Sequence, residues 1–157
     1  MNIDSTDLKI LAALQPNGRL SNVELASRVH LSASACLRRV KALEDSGVIQ
    51  GYRASVDPIR VGLPDNVFVS VGLASQDQAD LDAFEEAVRR VPEVMECYLM
   101  TGDFDYLLRI VVAGAADYER IHRQHLTRLP AVARVHSSFA LRVVQDSAGL
   151  PLNRGDD

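Results

Sequence analysis

The chain contains no tryptophan and only two cysteines in 157 residues, and aromatic residues make up 5% of it. Cys36 and Cys97 stand far apart and form no CxxC pair, which predicts free thiols rather than a disulfide or a metal site. No apolar run approaches the roughly 20 residues that a membrane-spanning helix requires. The first residues also lack the basic and apolar regions of a secretory signal. We therefore expect a cytoplasmic protein without a membrane segment, a metal or a cofactor.

What the composition does provide is enough apolar material for a folded core. Hydrophobic residues make up 47% of the chain and the formal net charge is −4, values that exclude intrinsic disorder. The charge is uneven, because residues 1–58 carry seven basic and six acidic residues, whereas residues 59–157 carry ten and fifteen. An acidic C-terminal part would repel nucleic acid, so any contact with nucleic acid is expected in the first third.

The first third begins with the pattern of two short helices. Apolar residues recur at helical spacing from Leu8 to Leu14, behind a possible cap at Asp4-Ser5, and Pro16-Asn17-Gly18 ends this helix. Ser21-Asn22-Val23-Glu24 then fits a capping box, in which the side chain of each end residue bonds to the backbone of the other. A second helix is therefore predicted to start at this box.

A third helix is predicted to begin at Ser32 and to end at Gly47. Leu37, Val40 and Leu43 are expected to form its buried face. Two such helices joined by a turn of three or four residues define a helix-turn-helix. Residues 48–56 are rich in β-forming residues and predict a wing strand beside it.

The rest of the chain shows a strand–helix–strand pattern twice. The two predicted helices begin at residues 79–81 and 116–118 and end at residues 90–94 and 128–132. The predicted strands are 67–71, 95–100, 106–112 and 135–144. The order βαββαβ predicts an α+β, ferredoxin-like sandwich with both helices on one face of a four-stranded antiparallel sheet. The other face is expected to be apolar and to pack on a second copy. We place the domain boundary between residues 1–62 and 63–157.

The third helix carries the first candidate site. Its first turn has small residues, which allow close approach to the floor of a DNA major groove. We expect Ser32 to cap the helix and Ser34 and Arg38 to contact base edges, while the phosphates are held by Arg39, Lys41 and Arg53. Two alternatives remain: these cations could be ordinary surface charge, and Arg39 could pair internally with Glu24 or Glu44.

The segment Thr101-Gly102-Asp103-Phe104-Asp105-Tyr106 is the second candidate site, a turn between the two middle strands. Its two carboxylates could hold the ammonium group of a ligand, while exposed backbone amides take a carboxylate. An ordinary acidic turn explains the same residues. A metal site of the Asp-x-Asp type lacks a third oxygen-rich ligand cluster.

The remaining polar residues give no pattern of catalysis. His122 and His125 lack ligand partners at a suitable spacing, and adjacent His136 and Ser137 would point to opposite faces of a strand. The chain has no phosphate-binding P-loop, no G-x-G-x-x-G and no G-x-S-x-G. We predict that the protein is not an enzyme and that it has no catalytic residue and no metal ligand.

In combination, these segments resemble the Lrp/AsnC family of leucine- and asparagine-responsive transcriptional regulators, from Asp4 to about Val144. The resemblance is carried by the motifs Asp7–Leu11, Gly18–Ser21, Glu24–Ala26, Leu31–Ser34, Cys36–Glu44, Gly47–Tyr52, Thr101–Leu108 and Leu129–Val132. His30 departs from the glycine that is usual at its position.

The resemblance implies a winged helix-turn-helix that binds double-stranded DNA and a C-terminal αβ domain that senses amino acids. Members of this family dimerise through the sheet face, commonly assemble into octamers and bind effectors where dimers meet. Carried over by position, the effector site comprises Thr101, Gly102, Asp103, Asp105, Ala115, Ser138 and Phe139. We therefore expect a homo-oligomeric, amino-acid-responsive transcriptional regulator. The alternative is a ring-forming module that binds small molecules and uses its helical part for protein contacts.

Overall fold

The computed structural model describes residues 2–147 and 149–152. The chain divides into two compact units, a first unit within residues 1–55 and 144–157 and a second unit of residues 56–143. The first break lies after residue 55, whereas we expected it after residue 62. In addition, the segment after residue 143 groups with the helices of the first unit. The side-chain amide of Gln15 donates to the carbonyl of Leu150 over 2.9 Å and accepts from the amide of the same residue.

The first unit is built from three capped helices: α1 Ser5–Leu14, α2 Asn22–Arg28 and α3 Ala33–Asp45. The predicted capping box of α2 is confirmed, since Glu24 N donates to Ser21 Oγ and Ser21 N donates to Glu24 Oε2, over 3.2 and 2.9 Å. The predicted cap of α3 is confirmed as well, with Ala35 N 3.2 Å from Ser32 Oγ. Both caps are local contacts, which is why the sequence predicts them.

The buried face of α3 differs from the predicted one. Cys36 and Leu43 are fully buried and Val40 packs against them, whereas Leu37 is 58% exposed. The buried positions therefore follow a spacing of four and three residues, and Leu37 lies about 100° further around the helix. The prediction of Leu37 in the core was wrong.

The wing strand predicted over residues 48–56 is absent. Residues 50–57 have no regular secondary structure, although Tyr52 fixes the segment to the unit. The Tyr52 hydroxyl donates to Glu44 Oε1 over 2.8 Å, and its ring leaves no room for a side chain at Gly18. A strand requires a partner for its backbone groups, and the described residues of the first unit include no strand beside this segment.

The second unit has the predicted βαββαβ order. The elements are β1 Asp65–Leu73, α4 Gln78–Val88, β2 Val94–Leu99, β3 Tyr106–Val112, α5 Ala115–Gln124, a 3-10 helix Leu126–Arg128 and β4 Val132–Phe139. The four strands form an antiparallel sheet with the order β2-β3-β1-β4. Strand β4 starts earlier than predicted because β1 continues to Leu73, which pairs with Val132. It ends earlier than predicted because β1 begins at Asp65 and offers no pairing partner beyond Ala140.

Both helices cover the same face of this sheet. Phe84 of α4 packs on Tyr106 of β3, with ring centroids 4.4 Å apart. Tyr118 of α5 packs edge-on against Phe139 of β4 and bonds to the hydroxyl of Ser137. Alternate strand residues between these contacts form the core, including Val67, Val69, Val71, Leu108 and Ile110, all at most 1% exposed. The predicted two-layer sandwich is confirmed.

The opposite face, called the open face below, is less apolar than expected. Phe68 is 39% exposed there, but Arg109 on the neighbouring strand donates to Glu96 over 2.8 and 3.0 Å and to Asn66 over 2.9 Å. Because cross-strand neighbours satisfy these polar groups, they can sit at the middle of the face at little cost. The expectation of an apolar face was therefore wrong in part.

Candidate functional site

The outer side of α3 presents four of the six residues predicted to bind DNA. Ser32, Ser34, Arg38 and Lys41 are exposed. Neither Arg38 nor Lys41 forms an ion pair within residues 2–147 and 149–152. The first turn of α3 carries no acidic residue. This side of the helix is therefore a cationic surface that an anionic partner can reach.

The start of α3 is held against the start of α2. Asn22 Nδ2 at the beginning of α2 donates to the carbonyl of Ala33 over 2.8 Å. The turn between the two helices places His30 in the left-handed region, with φ of +55°. A non-glycine residue there costs about 1 kcal/mol, which explains why glycine suits this position better.

Arg39, predicted to hold phosphate, differs from the exposed set because it is half-buried and ion-paired. Its Nη1 lies 2.8 Å from Asp4 Oδ2 and 2.8 Å from Asp7 Oδ1. The alternative of an internal pair is correct in kind, but its partners are on α1 and its cap rather than Glu24 or Glu44. Hydrogen bonds from the Asp7 backbone and from Arg39 lower the pKa of Asp4. Arg39 thus joins α1 to α3.

Leu37 is a residue that sequence reasoning assigned to the wrong environment. It lies on the exposed side of α3 between Ser34 and Lys41, and 58% of its surface is accessible. Its place immediately after buried Cys36 was the available signal, since adjacent residues cannot share one narrow helical stripe. The exposed side of α3 is therefore cationic with one large apolar side chain.

Arg53, the last predicted DNA contact, is exposed in the segment that follows α3. Neighbouring Tyr52 is anchored to Glu44 at the end of that helix. Burial, followed by this hydrogen bond, raises the pKa of Tyr52 to about 12. The backbone of Arg53 therefore directly follows a residue that is hydrogen-bonded to the end of α3.

The turn between β2 and β3 contains four of the predicted effector residues, and the side-chain carboxylate of one of them, Asp105, has structural partners. Asp105 Oδ2 accepts from Leu73 N over 2.6 Å, and its Oδ1 accepts from Gln76 Nε2 over 2.7 Å. Asp105 N also donates to the carbonyl of Val71 over 2.9 Å. These contacts join the turn to the end of β1.

The other three residues, Thr101, Gly102 and Asp103, are exposed at the tip of the turn. Gly102 has φ of +114°, a conformation that favours glycine. Within the described residues, the backbone amides of these three residues donate to no other group. The tip of the turn can therefore offer free N–H donors to an anionic ligand group.

The three remaining effector residues lie at the other end of the sheet. Ala115 begins α5, and Ser138 and Phe139 end β4. In the sheet, Phe139 pairs with Val67, whereas the turn follows the end at which Val71 pairs with Tyr106. Four residues along β1 correspond to about 13 Å. One chain therefore does not bring the seven predicted effector residues into a single pocket.

The cysteines differ from each other in their surroundings. Cys36 is buried in the first unit, but Cys97 is exposed on edge strand β2. Partial burial, with a smaller contribution from Glu85, raises the pKa of Cys97 to about 11. Within residues 2–147 and 149–152, no group of three potential ligands could hold a metal ion, and no helix is long and apolar enough to cross a membrane.

Comparison with known proteins assigns each unit to a family. A model of winged helix-turn-helix DNA-binding domains matches residues 3–50, and a model of the Lrp/AsnC ligand binding domain matches residues 66–150. The chain belongs to the Lrp/AsnC family. It is therefore a transcriptional regulator that binds DNA and responds to an effector, not an enzyme.

Individual relatives support the assignment over nearly the whole length. The Bkd operon transcriptional regulator of Pseudomonas aeruginosa is 46% identical over 96% of this chain and 98% of the relative. The leucine-responsive regulatory protein of Haemophilus influenzae is 39% identical over 96% and 90%. A crystal structure of a transcriptional regulator of Neisseria meningitidis in complex with L-Met has a TM-score of 0.91 and 39% identity, covering 97% of this chain and 98% of the other.

Proposed function

We propose that this Lrp/AsnC regulator inserts α3 into the major groove of double-stranded DNA. The observation that carries the proposal is the exposed side of α3, where two unpaired cations and an exposed leucine flank a first turn of small residues. A recognition helix presents its N-terminal part to the base edges, and only small side chains allow close approach there.

Three residues of this surface are suited to reading bases. Arg38 can donate two hydrogen bonds to guanine, and the Ser34 hydroxyl can bond to several bases. Leu37 can pack on the methyl group of thymine, the only apolar group that bases present in the major groove. Lys41 and Arg53 are suited to phosphate contacts, and Arg39 acts indirectly by holding α3 to α1.

The effector part of the proposal is that an amino acid binds at the turn and changes DNA affinity or assembly. The Neisseria relative forms a complex with L-Met, and another relative is a leucine-responsive protein. A pocket that also uses Ala115, Ser138 and Phe139 requires a second copy, because these residues are about 13 Å from the turn along the sheet. We propose a homodimer that assembles further, with the octamer as the form to test, acting in the cytoplasm where it reaches DNA.

The DNA-binding proposal is tested by selecting binding sites from random duplex DNA with the wild-type protein. A dimer predicts two half-sites about 10 base pairs apart, or a multiple of this spacing. Arg38→Ala is expected to weaken binding about tenfold or more and to relax the sequence preference at one position. Lys41→Ala is expected to lower the slope of log K against log salt by about 0.9 for each phosphate that the variant no longer neutralises.

Leu37 has its own test, in which single thymines of the selected site are replaced by uracil. Wild-type affinity should fall at one position, and Leu37→Ala should show no further loss there. Arg90→Ala is a matched control, since Arg90 is an exposed arginine in the turn after α4 that pairs with Glu86. If Arg38→Ala and Arg90→Ala have the same small effect on affinity and preference, α3 is not the reading element, and the helical part is a protein-contact module.

A further inference from the structure

The open face carries a second arginine in addition to Arg109. This residue lies beside the turn between β2 and β3, and neither the family resemblance nor the relatives assign it a role. Arg134 lies on β4 directly opposite Gly72 of β1. Its Nη2 donates to the carbonyl of Asp103 over 3.0 Å, and its guanidinium lies 5.6 Å from the ring centroid of Phe104. The side chain therefore runs across the sheet and ends at the tip of the turn.

The path of this side chain depends on the absence of a side chain at Gly72. A Cβ atom at Gly72 would stand 3.2 Å from Arg134 Nε and 3.4 Å from its Nη2. The ring of Phe104 forms the other wall and is itself stacked near His136, with centroids 6.5 Å apart. A neighbouring strand, a ring and a carbonyl thus determine where the guanidinium lies.

Most of the hydrogen-bonding capacity of Arg134 is unused in this arrangement. A guanidinium has five N–H donors, and within the described residues Arg134 donates only to the Asp103 carbonyl. Its charge is also uncompensated, because it forms no ion pair among residues 2–147 and 149–152. A cation with free donors thus reaches the same turn that carries the free backbone N–H groups of Thr101 and Gly102.

We propose that Arg134 binds the carboxylate of the effector and makes the turn specific for free α-amino acids. This inference rests on the proposed effector function and deepens it. The exposed carboxylate of Asp103 belongs to the same turn, whereas that of Asp105 is occupied by Leu73 and Gln76. Arg134 of β4 and Asp103 of the turn thus supply a cation and an anion at one place, complementary to the carboxylate and ammonium that a free α-amino acid carries on a single carbon.

The test compares binding of L-methionine and L-methioninamide by isothermal calorimetry, with L-leucine and its amide as a second pair. The amide keeps the side chain and the ammonium but has no carboxylate charge. Wild-type protein should bind the acid at least about tenfold more tightly than the amide, since the amide cannot form the charge-assisted bond. Arg134→Met should lose this preference by binding the acid more weakly, and Arg134→Lys should keep part of it.

Arg89→Met is the matched control, because Arg89 is an exposed arginine at the C-cap of α4 that pairs with Glu85. It should retain the wild-type preference. If Arg134→Met weakens the acid and the amide equally, Arg134 only positions the turn and the proposal is overturned. Arg134→Lys distinguishes this from misfolding, since a folded Lys variant with no preference also overturns it. A wild-type protein that binds neither amino acid overturns the effector part of the proposed function together with the Arg134 assignment.

Discussion

Asp7 connects α1 to α3 through Arg39, and its replacement by alanine should lower the stability of the first unit. The residue is 3% exposed and accepts from Arg39 Nη1 over 2.8 Å and from Asp4 N over 3.1 Å. A hydrogen bond to a buried carboxylate contributes about 1.5–3 kcal/mol, and the reciprocal cap contributes about 0.5–1 kcal/mol. The helix propensity of alanine and the removal of a buried charge offset part of this sum. The expected loss in free energy of unfolding is about 2 kcal/mol.

Native-state hydrogen exchange with mass spectrometry measures this loss in the first unit separately from the second. A decrease of about 2 kcal/mol corresponds to about 30-fold faster exchange of the slowest amides, since 1.4 kcal/mol is a factor of ten. The faster exchange should be confined to the three helices of the first unit. Peptides from the sheet of the second unit should exchange at the wild-type rate.

The matched control is Asp45→Ala, which removes the same charge from an exposed position near the end of α3. Its effect should stay within about 0.5 kcal/mol, as for other exposed sites. Both variants make the chain more positive, which by itself favours DNA. Only Asp7→Ala should nevertheless bind the selected DNA site more weakly, because α3 loses its attachment to α1. Equal exchange rates in the two variants would refute the reasoning.

Two further predictions concern single residues. His30→Gly should stabilise the first unit by about 0.5–1 kcal/mol in urea unfolding. Glycine removes the left-handed strain at φ +55°, and its greater freedom in the unfolded chain cancels part of this gain. His30→Ala keeps the strain and should not stabilise the unit, so equal stability of the two variants would contradict the explanation. Alkylation of Cys97 by iodoacetamide, followed by peptide mapping, should accelerate about tenfold per unit from pH 7 to 10, because a thiol with a pKa near 11 is still protonated there and only the thiolate reacts. A plateau near pH 9 would show an ordinary thiol, and Cys36 should remain unmodified while the protein is folded because it is buried.

The sequence by itself determined the features that depend on nearby residues. The Ser21–Glu24 capping box, the Ser32 cap and the left-handed Gly47 each involve groups within a few positions of one another. The repeated strand–helix–strand order also follows from local periodicity, and it leaves few ways to build a sheet. These local patterns were sufficient to predict the helical and αβ parts of the chain and the position of α3.

Tertiary structure decided everything that depends on which distant groups meet. The partners of Arg39 are more than thirty positions away on α1, so helix packing rather than spacing removed it from the DNA-binding surface. The register of β1 separated the turn at residues 101–105 from Ala115 and Phe139, which sequence order could not show. The same register brought Arg134 opposite Gly72 and within reach of Asp103. Sequence periodicity predicts which face of an element is buried, but the contacts of a charged side chain depend on the elements that pack beside it.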